Sequence, residues 1–172
     1  EFRRVLFRSG GVKLNIKDEA NLRAAFETVM DNCRKNAPDA NLEGVLLKPM
    51  LRAGVEMIIG VNNDKDFGPM IMVGMGGVFV ELFKDVQLAP APLTKEQARR
   101  ILENLNSYPL LNGYRGNPVC NKEALADLLV SISKMAADGK DSIKELDINP
   151  VFVTEEGVSI ADALLIQYED TF

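Results

Sequence analysis

Two side chains with metal-binding oxygens stand at a spacing that could bring them together. Asn149 lies in the stretch Glu-Leu-Asp-Ile-Asn-Pro at 145–150, and Asp162 follows thirteen residues later. The segment between them has the pattern of a strand, a tight turn at Glu156-Gly157 and a second strand, which predicts both residues at one end of a hairpin. A Mg²⁺ ion that bridges phosphates takes one or two protein oxygens and completes its octahedral shell with phosphate and water. The pair therefore predicts a magnesium site, to which Asp147 could add a third oxygen.

A plainer interpretation of the same residues stays open. Asp-x-Asn-Pro is a common turn sequence, and Asp162 could simply end a strand or cap an element. Spacing alone does not decide between a turn and a metal site.

A glycine-rich segment, Gly74-Met75-Gly76-Gly77, follows a predicted strand and could bring backbone N–H groups close to a phosphate. It is neither a Walker A loop nor a dinucleotide fingerprint. No Lys-Ser/Thr follows it, and Phe79 stands in the place of the third glycine. A tight hairpin turn is the alternative.

Three charged residues stand in unusual surroundings. Glu56 and Glu81 lie in otherwise apolar strands, where a buried carboxylate needs a hydrogen bond, a counter-charge or a metal. Glu56 could meet a ribose hydroxyl or the metal shell, or it could face solvent on an exposed sheet face. Arg115 stands between glycines in a loop, where its guanidinium could grip a phosphate or carboxylate; a surface ion pair is the alternative.

Composition excludes several classes of function. The chain has 172 residues, 47% of them hydrophobic, which is ordinary for one globular domain, and its net charge of −5 argues against a general nucleic-acid binder. No apolar run approaches the roughly 18–20 residues that cross a bilayer. Histidine is absent, which removes histidine-based catalysis and a phosphohistidine from this chain. The isolated Cys33 and Cys120 predict reduced thiols and a cytoplasmic location.

The order of predicted elements indicates an α+β fold, in which an antiparallel sheet is flanked by helices. Apolar spacing predicts a helix over 18–37, a capping box at Thr94 opens one that runs to about Asn104, and Asn121 begins another. The last of these presents Leu125, Leu128, Leu129, Ile132 and Met135 on one face. The predicted strands are 44–50, 55–61, 69–73, 78–83, 143–153 and 158–161. The only flexible connector expected is 89–92, so residues 10–172 are predicted to form one unit.

The first nine residues differ in composition from the rest of the chain and join it abruptly at Gly10-Gly11. They are too short for a signal peptide and lack its cleavage site. We interpret residues 1–9 as a cloning or assembly scar, which makes 10–172 a partial domain.

Several motifs occur together in one order between about Gly10 and Ala163. They are Gly-Val-Glu-Met-Ile-Ile-Gly-Val around Glu56, Phe67-Gly68-Pro69, the run from Gly74 to Glu81, Lys84-Asp85-Val86, Leu111-Asn112-Gly113-Tyr114-Arg115-Gly116, and the 145–150 stretch with Asp162. This set resembles the ATP-grasp domain of ADP-forming acyl-CoA (acetyl-CoA) synthetases, akin to the succinyl-CoA synthetase β subunit.

The resemblance implies a role for each candidate residue. Asn149 and Asp162 would hold Mg²⁺, and Glu56 would contact the nucleotide or the metal shell. Leu47-Lys48 would form the hinge strand against which adenine lies, with Gly76 and Gly77 near the phosphates of ATP or ADP. Arg115 would contribute to cofactor binding.

The family interconverts acyl-CoA, ADP and phosphate with free acid, CoA and ATP. It uses a phosphohistidine on a CoA-binding partner, which is either a separate α subunit or a fused domain. A chain without histidine fits that arrangement, and no catalytic residue is expected within it.

Two departures from the family pattern limit what can be carried over. The family's phosphate-binding lysine precedes the Gly10-Gly11-Val12 sequence, so the N-terminal subdomain is expected to be missing and the fragment alone inactive. Ala89 stands where many relatives carry arginine. A regulatory module of a protein acetyltransferase and a non-catalytic interaction domain are the alternatives.

Overall fold

The computed structural model describes residues 10–77 and 84–168. These residues divide into two compact units, one ending at Met50 and the other beginning at Leu51. Two predictions, the strand 78–83 with Glu81 and the scar over 1–9, lie outside the described residues. Within the described part of the chain, every helix is too short or too polar to cross a membrane.

The first unit is built on one helix, α1 (Glu19–Asn36). Asp18 caps it, since its carboxylate accepts a hydrogen bond from the backbone N–H of Asn21 at 2.7 Å. Arg34 and Lys35 stand in the last turn, where cations offset the negative end of the helix dipole. The helix predicted over 18–37 is confirmed.

The strand predicted over 44–50 is wrong. These residues have no regular secondary structure, and both Leu46 (84% exposed) and Leu47 (61% exposed) face solvent. A strand needs a neighbour for its backbone N–H and C=O groups, and none of the described strands pairs with this run. Apolar and β-branched composition alone could not reveal that the partner is lacking.

The second unit contains a six-stranded antiparallel sheet. Its strands are β1 (Val55–Asp64), β2 (Gly68–Met75), β3 (Val86–Pro90), β4 (Ile143–Val153), β5 (Val158–Ile160) and β6 (Ala163–Gln167). The spatial order is β3-β2-β1-β4-β5, and β6 pairs with the first half of β4. The last two strands therefore follow each other along one edge of the sheet.

The helices cover one face of this sheet. They are α2 (Lys95–Glu103), α3 (Tyr108–Leu111) and α4 (Lys122–Asp138). Alternate strand residues such as Met57, Ile59 and Val151 join Leu102 and Leu129 of the helices in one buried cluster. The opposite strand positions consequently lie on the face that bears the polar candidates.

The starts of α2 and α4 agree with the sequence prediction. Thr94 and Gln97 form the complete capping box, and the Asn121 side chain accepts from the backbone N–H of Ala124 at 3.0 Å. One position on the predicted apolar face of α4 is wrong: Met135 is 43% exposed. It lies in the last turn of the helix and faces solvent.

Candidate functional site

The hairpin of β4 and β5 brings Asn149 and Asp162 side by side. The backbone N–H of Asn149 donates to the carbonyl oxygen of Asp162 at 3.1 Å. The tight turn closes through the Thr154 N–H, which donates to the Gly157 carbonyl at 2.9 Å. Thr154 and Gly157 thus set the register that the spacing of the two candidate ligands requires.

The polar candidates share one face of the sheet. Asp147 pairs with Gly60 of β1, while Ile148 and Val151 point into the core. A register shift between Met57 and Ile59 places Asn149 beside Ile58, so Asn149 follows Asp147 on the non-core face. Asp147 and Asn149 are exposed and Asp162 is half-buried.

Glu56 lies against the glycine-rich segment. The backbone N–H of Gly76 donates to the Glu56 carbonyl at 2.7 Å. A Cβ atom on Gly76 would stand 2.7 Å from Glu56 Cγ, and one on Gly77 would stand 3.5 Å from Glu56 Oε2. The half-buried carboxylate therefore sits directly beside Gly76-Gly77, at the end of β2. Gly76 is required there because a side chain would displace Glu56, and Gly77 is favoured because its φ of +66° lies in the left-handed region.

The donor set suits a hard divalent cation that keeps most of its shell for other ligands. Asn149 offers an amide oxygen and Asp162 a carboxylate, one of whose oxygens accepts from the Ala163 N–H at 3.0 Å. Among residues 10–77 and 84–168, no three His, Cys, Asp or Glu side chains converge on one point. The protein could thus supply one or two oxygens, as Mg²⁺ on a nucleotide requires, but not a complete cage.

Arg115 is held in an unusual backbone conformation. Its φ is +55°, which L residues rarely adopt, and its guanidinium lies 5.4 Å from the centroid of the Tyr114 ring. The surface ion pair that was the alternative is not formed with any described residue. Arg115 is exposed and therefore accessible to an anion, and it makes no contact that ties it to Asn149 or Glu56.

Leu47 and Lys48 belong to the first unit. They lie in the irregular run that replaces the predicted hinge strand, and both are exposed. The role of a strand against which adenine lies is therefore not supported by their secondary structure.

Sequence reasoning missed an apolar row that crosses the non-core face. Pairing aligns Leu88 with Met72, Met72 with Gly60, Gly60 with Asp147 and Asp147 with Leu164. Leu88 is 63% exposed and Leu164 49% exposed. The apolar run after Asp162 was the available signal, because it makes a strand that continues the edge begun by β5.

Comparison with known proteins places this geometry in context. Residues 7–166 match the model of the ATP-grasp domain. The chain is 46% identical over 158 residues to the beta subunit of an ADP-forming acetate–CoA ligase I of Pyrococcus furiosus, covering 92% of this chain and 68% of that protein.

Two solved structures of acetyl-coenzyme A synthetase 1 from Ca. Korarchaeum cryptofilum are also similar. The one in complex with coenzyme A, Ca-AMPCP and HgCl⁺ has a TM-score of 0.89 at 38% identity, covering 94% of this chain and 70% of that one. The other contains coenzyme A and Mg-AMPPCP, with its phosphohistidine segment pointing towards the nucleotide site. Its TM-score is 0.84 at 34% identity, covering 95% of this chain and 70% of that one.

Proposed function

Because this chain belongs to the ATP-grasp domain family of ADP-forming acyl-CoA synthetases, we propose that it is the nucleotide-binding part of an ADP-forming acid–thiol ligase. The complete enzyme would interconvert an acyl-CoA, ADP and phosphate with the free acid, CoA and ATP. The observation that carries the proposal is the pairing of Asn149 with Asp162 on the same sheet face as Glu56, which itself lies against Gly76. Acetate is the acid of the similar ligase from Pyrococcus furiosus.

The proposed site has a phosphate end and a base end. Asn149 and Asp162 would hold Mg²⁺, with Asp147 two residues away along β4, and the ion would neutralise phosphate charge during transfer. Glu56 would accept from a ribose hydroxyl or from a water of the metal shell. The exposed backbone of Gly77 would approach the phosphates, held in place by the Gly76 N–H that donates to the Glu56 carbonyl.

The apolar row provides a surface for the base. Leu164 stands beside Asp147 and Met72 lies beyond Gly60 on its other side, and an aromatic heterocycle would gain by covering apolar side chains there. Arg115 would supply a fork for an anionic group of the nucleotide or of the partner.

The phosphoryl group would pass to a partner. This chain has no histidine, and the similar structure with Mg-AMPPCP carries a phosphohistidine segment. We propose a CoA-binding, phosphohistidine-bearing α subunit or fused domain as the partner, which makes the assembly a hetero-oligomer or a multidomain chain.

Calorimetry with ADP and Mg²⁺ tests the proposal. The protein should bind ADP in the presence of Mg²⁺ and bind it much less in EDTA. Glu56→Gln should weaken MgADP binding by about tenfold, since a charged hydrogen-bond acceptor is lost. The control Asp141→Asn alters an exposed carboxylate in the turn before β4 and should leave binding unchanged.

A second assay addresses the reaction. The enzyme with its partner should form ATP from ADP and phosphate only when an acyl-CoA is supplied. Absence of MgADP binding by the complete protein would refute the nucleotide-site assignment. MgADP binding without acyl-CoA-dependent ATP formation would favour a regulatory module.

A further inference from the structure

Asp85 is the most deeply buried carboxylate among the described residues, with only 6% of its surface exposed. Its Oδ1 accepts from the backbone N–H of Asn106 at 2.9 Å and from the Asn106 side-chain amide at 3.2 Å. Its Oδ2 accepts from the backbone N–H of Ser107 at 2.7 Å. A buried carboxylate with three donors is a fixed attachment between the segment before β3 and the loop between α2 and α3.

The carboxylate is held in its charged form. Burial tends to raise the pKa of Asp85, but hydrogen bonds from Ser107 and Asn106 outweigh it, and the pKa lies below the ordinary value for aspartate. Charge-assisted hydrogen bonds are stronger than neutral ones. At neutral pH the attachment is therefore made by charge-assisted hydrogen bonds.

The segment before β3 packs closely against the end of β2, which leads into the glycine-rich run. A Cβ atom on Gly74 would stand 2.7 Å from the Asp85 carbonyl oxygen and 2.6 Å from Val86 Cγ1. The Met75 N–H points to the same carbonyl oxygen at 3.4 Å. The position of Asp85 therefore determines where the end of β2 lies.

The backbone of Lys84 is a second indication that neighbouring contacts hold this segment in an unfavourable conformation. Its φ is +48°, in the left-handed region that side chains other than glycine rarely occupy. Such backbone persists only where neighbouring contacts fix it, and it concentrates at functional sites. Asp85, the next residue, makes those contacts.

We propose that Asp85 is a positioning residue for phosphate binding, whose carboxylate fixes Lys84–Val86 against Gly74 and so holds Gly74–Gly77 in the shape that receives the nucleotide phosphates. This inference rests on the proposed nucleotide-binding function. Asp85 itself touches no ligand; it acts through the backbone of the glycine-rich run, as supporting residues commonly do for a binding site.

The experiment compares ADP with adenosine, which lacks the phosphates. Asp85→Asn puts an amide N–H₂ against a backbone donor, and Asn106→Asp, at an exposed residue, replaces an amide donor by a second carboxylate against the first. The dissociation constants of both ligands would be measured by calorimetry with Mg²⁺ for each variant of the complete protein. Ser133→Ala, which removes a fully buried hydroxyl bonded to Leu93 N–H elsewhere in the unit, is the control for general destabilisation.

Both variants should weaken ADP binding by about tenfold and adenosine binding by a clearly smaller factor, because the phosphate contacts depend directly on the glycine-rich run. Ser133→Ala should leave the ADP-to-adenosine ratio as it is. An unchanged ratio in Asn106→Asp would overturn the positioning role, whether both affinities stay or fall together. Failure of the unaltered protein to bind ADP would instead refute the proposed function on which the inference rests.

Discussion

The N–H of Asn149 donates to the carbonyl of Asp162 across 3.1 Å, although the two residues are thirteen positions apart in the chain. This bond lies at the point on β4 where its neighbouring strand changes from β6 to β5. β5 pairs with Val151–Val153 and β6 with Ile143–Ile148. An amide and a carboxylate side chain are thereby held at the junction of two strands. A metal site built there would have ligands whose backbones are hydrogen-bonded to each other.

Replacement of Gly76 should damage both stability and binding. In Gly76→Ala the new Cβ would stand 2.7 Å from Glu56 Cγ and 3.0 Å from the Glu56 carbonyl carbon, so the end of β2 must move. Overpacking of this kind costs about 1–3 kcal/mol. Urea unfolding should show a lower midpoint with the same slope, and calorimetry should show weaker MgADP binding. Unchanged stability would mean that Glu56 does not pack against this glycine.

Two serines on helix α4 make a matched pair for a hydrogen-bond test. The Ser133 hydroxyl is fully buried and accepts from the Leu93 N–H at 2.9 Å, which fastens the chain ahead of α2. Ser133→Ala leaves that N–H unsatisfied and should cost about 1–3 kcal/mol in urea unfolding. Ser131, two residues away, is exposed and bonds only to the Asp127 carbonyl. Ser131→Ala should be nearly neutral; equal losses in the two variants would contradict the assignment.

The ion pairs between α2 and α4 should make stability depend on acid pH. Hydrogen bonds from Arg99, and then from Lys95, lower the pKa of Glu123 from 4.5 to about 2. A carboxylate with a lowered folded-state pKa stabilises the fold above its unfolded pKa, and this contribution disappears as the pH falls from about 4.5 to about 2.

Glu123→Gln measures this contribution directly. The variant should melt at a slightly lower temperature than the unaltered protein at pH 7, and the difference should shrink steadily below pH 4.5 and in high salt. Asp141→Asn, which alters an exposed carboxylate outside these ion pairs, should show neither trend. A melting difference that stays constant down to about pH 2.5 would contradict the ion-pair account.

Much of the second unit follows from local sequence signals. β4 has the predicted bounds, and β5 ends one residue earlier than predicted, because β-branched residues on both sides of Glu156-Gly157 identify a hairpin without long-range information. Thr94 and Asn121 start their helices as predicted because capping needs only residues within one turn, and Asp18 caps α1 in the same way.

The failures among the strands and connectors involve partners that are distant in sequence. The connector predicted over 89–92 is partly strand, since β3 runs to Pro90. Proline is tolerated there because, among the described strands, β3 pairs with β2 alone. The run 44–50 has strand composition but no neighbour to pair with among the described strands. β6 was not predicted because the apolar run Ala163–Gln167 becomes a strand only by pairing with the first half of β4, which is distant in sequence.

In the candidate site, too, some contacts follow from local sequence and others depend on distant residues. Spacing was enough to predict that Asn149 meets Asp162, and their adjacency is a backbone fact of the structure. The sequence could indicate at most that Glu56 and Gly76 lie on the same sheet face. Their contact depends on how the end of β2 crosses β1. Asp85 fixes the glycine-rich run only with the help of hydrogen bonds from Asn106 and Ser107. Nothing in the sequence marks these two residues for that role.

Calorimetric titration of ADP into the complete protein, with Mg²⁺ and with EDTA, tests the central claim most directly when it compares the unaltered protein with Asn149→Ala/Asp162→Ala. The account predicts that Mg²⁺ strengthens ADP binding at least about tenfold in the unaltered protein and that the double variant loses this gain while its melting temperature stays close to that of Asp141→Asn. An undiminished Mg²⁺-dependent gain in the double variant would show that the metal is held elsewhere and would contradict the site.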